Sequence, residues 1–189
     1  MITLRRGDIT EIAGEFDAIV NAANISLLGG GGVDGAIHKA AGPMLLQECE
    51  TLGGCETLGG CETGAAKTTY AYDLPCKYII HAVGPRYNEK ESEMCDVLLF
   101  RTYLSAMEQA LIHGAKRIAF PSISTGIFHF PIERAAEIAL SAVKVFLEIF
   151  SEKHFEVTWV LFSDEDFEVY RRVLNGSSVK RLFQETTSE

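Results

Sequence analysis

The chain has 189 residues, 47% hydrophobic and 23% charged, with a formal net charge of −9, a size and balance that suit one globular domain with a sizeable buried core. No run of eighteen apolar residues occurs and the start, MITLRRGDITEI, has no apolar segment of signal-peptide length, so neither membrane insertion nor secretion is expected. The acidic balance and the lack of a Lys/Arg cluster disfavour a nucleic-acid partner, and five cysteines, an odd number without a secretory signal, read as reduced thiols of a cytoplasmic protein.

Residues 2–6 predict a first strand and residues 7–10 a turn. Residues 16–20 predict a mostly buried strand running into Asn21, which would deliver Asp8 and Asn21 to loops. Residues 21–38 then read NAANISLLGGGGVDGAIH. Four successive glycines let the main chain turn tightly and let a ligand approach it unobstructed. A helix predicted from Val33 to Ala41 aims its unpaired N–H groups and positive dipole end back into that loop, a cradle for phosphate or pyrophosphate. In an acidic protein such local dipoles, rather than the overall field, must attract the anion. Gly30, Gly32 and Gly35 also match the G-x-G-x-x-G spacing of dinucleotide folds.

Gly42-Pro43 breaks that helix before a second one through about Cys49. From Cys49 the chain reads CETLGG, CETLGG, CETG, a period too short for a solenoid unit, and is read as an expanded loop. Residues 66–72 and 77–83 predict strands, and residues 94–113 a long amphipathic helix capped by Gly114. Residues 117–121 form a short strand emptying into the small-residue loop 122–128, and Pro131 opens a helix through about Phe150. Residues 155–162 predict a strand, Ser163 and Asp166 resemble a capping box for a helix ending before Gly176, and residues 177–189 form a polar tail. Strands interleaved with helices imply an α/β fold with helices on both faces of a largely parallel sheet, its sites lying beyond strand ends. The glycine loop and loop 122–128 each follow a strand and are expected to converge on one crevice, gripping a diphosphate from two sides.

The blocks GDIT (7–10), NAAN (21–24), LLGGGGVDGAIHKAAGP (27–43), LPCKYIIHAVGP (74–85) and PSISTGIF (121–128) together resemble the macrodomain family, most closely its MacroD-like branch, over roughly residues 2–174. The resemblance implies a three-layer α/β/α sandwich with a six-stranded mixed sheet over residues 1–176. It implies a domain that binds ADP-ribose, hydrolyses mono-ADP-ribose esters on acidic protein side chains and deacetylates O-acetyl-ADP-ribose, with mono-ADP-ribosylated proteins as partners and with no metal or cofactor. By matching motif, Asp8 would accept from the adenine amino group while Ile9 lies against the ring. Asn21 and Asn24 would contact the ligand, Asn24 at the distal ribose, where it would also serve catalysis together with Asp34. Gly31, Gly32 and Val33 would offer N–H groups to the diphosphate, with Ser124, Thr125, Gly126 and Ile127 closing over it, and Phe128 would pack beside the distal ribose. Asp34 would orient or deprotonate the attacking water, general-base help worth about 10² to 10⁴ in rate, in competition with a phosphate of the substrate itself. His129 departs from the glycine common at that position and is expected to narrow the distal-ribose end or alter which acyl groups fit. The doubled six-residue unit is a second departure, expected to leave the site intact.

Weighed residue by residue, Asp34 at a helix start could merely complement the dipole; the surrounding block favours function. His38, four residues on, suits packing or helix positioning better than catalysis, and His81 in an apolar strand reads as a core histidine. Cys49, Cys55 and Cys61 lack the short pairing of zinc ligands, and Phe162 and Phe167 are expected in the core. Two other functions compete with the hydrolase: a non-catalytic ADP-ribose reader with the same pocket, and a nicotinamide-dependent dehydrogenase. Against the latter, about eight residues separate the strand from the glycines, where a dinucleotide fingerprint sits directly at the strand end.

Overall fold

The computed structural model describes residues 1–51 and 60–176. Six strands, β1 (Ile2–Arg6), β2 (Ala18–Ala23), β3 (Ala66–Tyr70), β4 (Tyr78–Val83), β5 (Arg117–Phe120) and β6 (Glu156–Leu161), alternate with helices α1 (Gly32–Ala41), α2 (Pro43–Thr51), α3 (Ser92–Ile112), α4 (Ile132–Ile149) and α5 (Asp164–Asn175). The sheet order is β1-β6-β5-β2-β4-β3. All neighbours are parallel except β3, which runs antiparallel to β4 at the edge. The sheet is therefore mixed, as expected.

The strand sequences explain the layering. AIVNAA of β2 and YIIHAV of β4 are near-continuous apolar runs covered on both faces, the pattern of central parallel strands. Alternate side chains divide between two cores. Val20, Ile80, Ile118, Phe120, Val157 and Trp159 pack with α3, α4 and α5, whereas Ile19, Ala23, Ile79, Val83 and Ala119 pack with α1 and α2. The larger core centres on an aromatic cluster in which Phe120 and Trp159 stack at 5.5 Å and Tyr103 lies 5.3 Å from Phe120.

Helix ends follow local chemistry. Ser163 caps α5 by accepting from the Asp166 N–H at 3.0 Å. Helix α3 ends in a Schellman turn: Gly114 has φ +69°, its N–H bonds the Leu111 carbonyl, and the Ala115 N–H bonds that of Ala110. Most expected boundaries lie within two residues of those observed. The consequential difference is β2, which continues to Ala23 instead of stopping at Val20, so Asn21 sits within the strand rather than in a loop. The tail 177–189 and residues 52–59 of the duplicated segment, with Cys55, lie outside the described residues.

From β2 the chain crosses the α1/α2 face toward β4, and from β5 it crosses the opposite face through α4 toward β6. Adjacent strands whose connections leave in opposite directions open a crevice beyond their carboxyl ends. The functional cleft is found there.

Candidate active site

A cleft of about 530 Å³ lies beyond the carboxyl ends of β2, β5 and β6, and both expected loops line it, Gly30 to Asp34 on one side and Ser122 to Phe128 on the other. Asp8, Ile9 and Asn24 line it as well.

No side chain caps α1. The N–H groups of Gly32 and Val33 lack an acceptor among the described residues, the first intramolecular bond being that of the Gly35 N–H to Gly31. The N–H groups of Gly126, Ile127 and Phe128 across the cleft likewise have no acceptor among the described residues. Two sets of unbonded amides facing one cavity make a receptor for an extended anion.

The second loop is held from beneath: Tyr103 accepts from the Ile123 N–H at 3.1 Å, Tyr170 bonds Ser122 at 3.0 Å, and the Phe128 carbonyl accepts from the Tyr87 N–H at 2.9 Å. The Arg86 guanidinium lies 5.2 Å from the Phe128 ring centroid.

Asp34 is 4% exposed. Its Oδ1 accepts from Asn21 Nδ2 at 2.7 Å and lies 3.5 Å from His38 Nε2 one turn on. Burial raises the Asp34 pKa above the usual aspartate value, against the lowering effects of the Asn21 hydrogen bond and the His38 charge. A β-carbon at Gly30 would lie 3.0 Å from Asp34 Oδ2 and 3.2 Å from Asn24 Nδ2. Both side chains thus border one small space, open because residue 30 is glycine. Asn24 also shapes the loop, donating to the Gly29 carbonyl at 3.0 Å and accepting from the Ser26 N–H and hydroxyl at 3.0 and 2.6 Å.

Asn21 corrects a sequence expectation. It is fully buried and absent from the cleft wall; its amide nitrogen faces Asp34 and, at 3.1 Å, His81 Nδ1. β2 runs on through it because the parallel ladder to β4 continues past Asn21, opposite His81, to Ala23 opposite Val83, and the buried amide finds its partners within the fold. His81 itself is a satisfied core histidine, with Thr69 Oγ1 2.9 Å from Nε2.

His38, Cys49 and His81 bring donor atoms within 4.8 Å of one another, but the hydrogen bonds already assign them. An ionised Asp34 accepts only, so the Asn21 Nδ2 must donate, and the same nitrogen facing His81 Nδ1 makes that atom an acceptor. The ring proton then sits on Nε2, which a metal there would have to displace. Burial also pushes the Cys49 thiol up to about 12, favouring its protonated form.

At the far end Asp8 Oδ1 accepts from the Thr10 N–H at 2.8 Å and hydroxyl at 2.6 Å, an Asx turn that leaves Oδ2 for a ligand. Phe162, expected in the core, is instead 79% exposed and lines the cleft beside Leu161 and Asp166, whereas Phe167 packs on the core. The β6 strand stops one residue before Phe162, at Leu161, where the apolar run suggests that it continues.

His129 is exposed, outside the cleft wall, so it does not narrow the distal end; its φ of +56° is left-handed. That conformation costs an L-residue roughly 1–2 kcal/mol, more than the added unfolded-state freedom of glycine. His129→Gly is therefore expected to raise the Tm by about 1–3 °C in a thermal melt, with unchanged ligand affinity.

Residues 20–139 match the family model for the Macro domain. The chain belongs to the macrodomain family. Its relatives place it in the MacroD-like branch. This macrodomain is 48% identical to the ADP-ribose glycohydrolase MACROD2 of Xenopus laevis, over 92% of this chain but 40% of that one. It is also 48% identical to the O-acetyl-ADP-ribose deacetylase 1 of Pantoea vagans, over 92% of this chain and 98% of that one. The macrodomain thus spans less than half of the frog protein and nearly all of the bacterial one. Among solved structures, the Trypanosoma brucei macrodomain in complex with ADP-ribose superposes with a TM-score of 0.80 at 38% identity, over 92% of this chain and 69% of that one.

Proposed function

We propose that this macrodomain is an ADP-ribose-binding hydrolase that removes mono-ADP-ribose from acidic side chains of cytoplasmic proteins and deacetylates O-acetyl-ADP-ribose. The observation that carries the reading is a buried, oriented carboxylate, Asp34, sharing the space at Gly30 with the Asn24 amide beside two sets of unbonded N–H groups. The frog and Pantoea relatives, named as an ADP-ribose glycohydrolase and an O-acetyl-ADP-ribose deacetylase, support it.

In this reading Gly31, Gly32 and Val33 hold the diphosphate from one side, and Ser124, Thr125, Gly126 and Ile127 from the other. Asp8 and Ile9 receive the adenine, with Phe162 against its face. Asn24 and Phe128 border the distal ribose, leaving the ester next to Asp34. Water adds to the electrophilic carbon and gives its proton to Asp34 or to a substrate phosphate oxygen. That proton returns to the departing oxygen, so acetate or the protein carboxylate separates from the ribose. The amides neutralise the diphosphate and the ester is already reactive, so no step calls for a metal.

The test is release of ADP-ribose from glutamate-modified protein and of acetate from O-acetyl-ADP-ribose by the purified protein. Binding with no release from either substrate would leave a reader module in place of an enzyme. A marked preference for NAD over ADP-ribose in calorimetry would revive the dehydrogenase, although eight residues separate the end of β2 from the start of α1. Stacking of a base on an aromatic side chain is worth about 1–3 kcal/mol, so Phe162→Ala should weaken ADP-ribose binding about tenfold while leaving ribose 5-phosphate affinity unchanged. Equal loss for both ligands would move the adenine elsewhere.

A further inference from the structure

Asn21 is the only hydrogen-bond donor to Asp34 at 2.7 Å among the described residues, yet one end of its own amide is unsecured: Oδ1 is buried without a partner. Everything that fixes the amide acts through Nδ2, which faces two acceptors, Asp34 Oδ1 and His81 Nδ1. The fold brings the second acceptor there by register. Asn21 and His81 are paired residues of β2 and β4. Thr69 of β3 lies two residues along from Lys67, the partner of His81, so it shares the same sheet face.

We infer that His81, held by Thr69, is a positioning residue for the hydrolysis, pinning the Asn21 amide so that its N–H points at Asp34. The inference rests on the hydrolase reading. Because Nδ1 accepts, Nε2 carries the ring proton and donates it to Thr69 Oγ1 at 2.9 Å, so the threonine holds the ring in the tautomer that the Asn21 N–H imposes. Burial holds the His81 pKa down at about 3, keeping the ring neutral and the Nδ1 lone pair available. The ionisable groups around His81 are Cys49, whose Sγ lies 3.8 Å from Nε2, His38, whose ring centroid is 6.1 Å away, Lys67, its pairing partner on β3, and Asp34 across Asn21. His81 never reaches the cleft; its effect passes entirely through Asn21.

The test compares His81→Leu, which removes the acceptor, with His81→Asn, whose Oδ1 can replace Nδ1, and with Thr69→Val, which removes the partner of Nε2. A charge-assisted hydrogen bond sets the scale. Leu at position 81 should lower kcat roughly ten- to a hundredfold, with KM and ADP-ribose affinity within about twofold of wild type and the acid limb of the pH profile moved upward. The Asn variant should recover most of the rate, and Thr69→Val should lose part of it. Wild-type kcat in a folded His81→Leu, or equal loss in the Leu and Asn variants, would overturn the inference. Thr69→Val decides the matter should His81→Leu fail to fold: an unaltered rate and pH profile there would also overturn it. An NMR titration of the Asp34 carboxyl supplies a readout that needs no turnover. Its pKa should rise in Thr69→Val and in His81→Leu but not in His81→Asn, and constancy throughout would refute the inference even if the wild type proved inactive and the hydrolase reading had failed on its own.

Discussion

Asp34→Asn is expected to lower hydrolysis of both substrates by at least about a hundredfold while ADP-ribose affinity stays within a few-fold of wild type and thermal stability at pH 7 increases. The three effects have one origin. The carboxylate is 4% exposed, and burial raises its pKa despite the Asn21 bond, so the folded protein binds the Asp34 proton more tightly than the unfolded chain does. Stability from this group is fully present below the unfolded value of about 3.8 and is lost as pH rises through the higher folded value. The neutral amide escapes that loss, so its stability advantage over wild type should grow across that window, level off above it and vanish in acid. Activity runs the other way, failing as pH falls through the raised Asp34 pKa. Turnover and melting curves at several pH values check both signs. Undiminished turnover in the variant would transfer the base role to the substrate phosphate.

Gly84→Val should weaken ADP-ribose binding by at least about tenfold, although residue 84 carries no side chain to contact a ligand. A β-carbon there would come within 2.2 Å of Ser124 Oγ and 2.6 Å of the Ile123 side chain, so the second loop must move away. That loop contributes N–H groups to the diphosphate, and a displacement of about 1 Å carries such groups beyond hydrogen-bond distance. Calorimetry with ADP-ribose measures the effect, and a melting curve separates it from unfolding. Unchanged affinity would mean that the loop does not close on the ligand.

Much of this site was legible in the sequence because its backbone donors are announced by glycines and helix starts. Gly31, Gly32 and Val33 occupy the anticipated helix entry, and the loop after β5 faces them across the cleft as the strand-loop-helix pattern required. Polarity misled at Asn21, which resembles a strand end in one dimension but in three finds Asp34 thirteen residues away and His81 sixty away. Phe162 misled in the opposite sense: period and composition place it in a buried strand, whereas β6 stops one residue earlier, at Leu161. His38 lies closer to Asp34 than a purely packing role requires, an arrangement that helical spacing permits but does not demand. The G-x-G-x-x-G match carried no weight, because Gly30 lies near the end of a long loop and Gly32 and Gly35 lie in α1, which eight residues separate from the end of β2.

The Cys61 N–H bonds the carbonyl of Ile25 at 2.9 Å, tying the chain after the duplicated segment to the loop between Asn24 and the glycines. Helix α2 fixes the other end at Thr51. Growth or loss of the segment by whole six-residue units returns the same Gly-Gly-Cys sequence to this tether. A change of length by whole units would therefore leave unaltered what the ligand loop is fastened to.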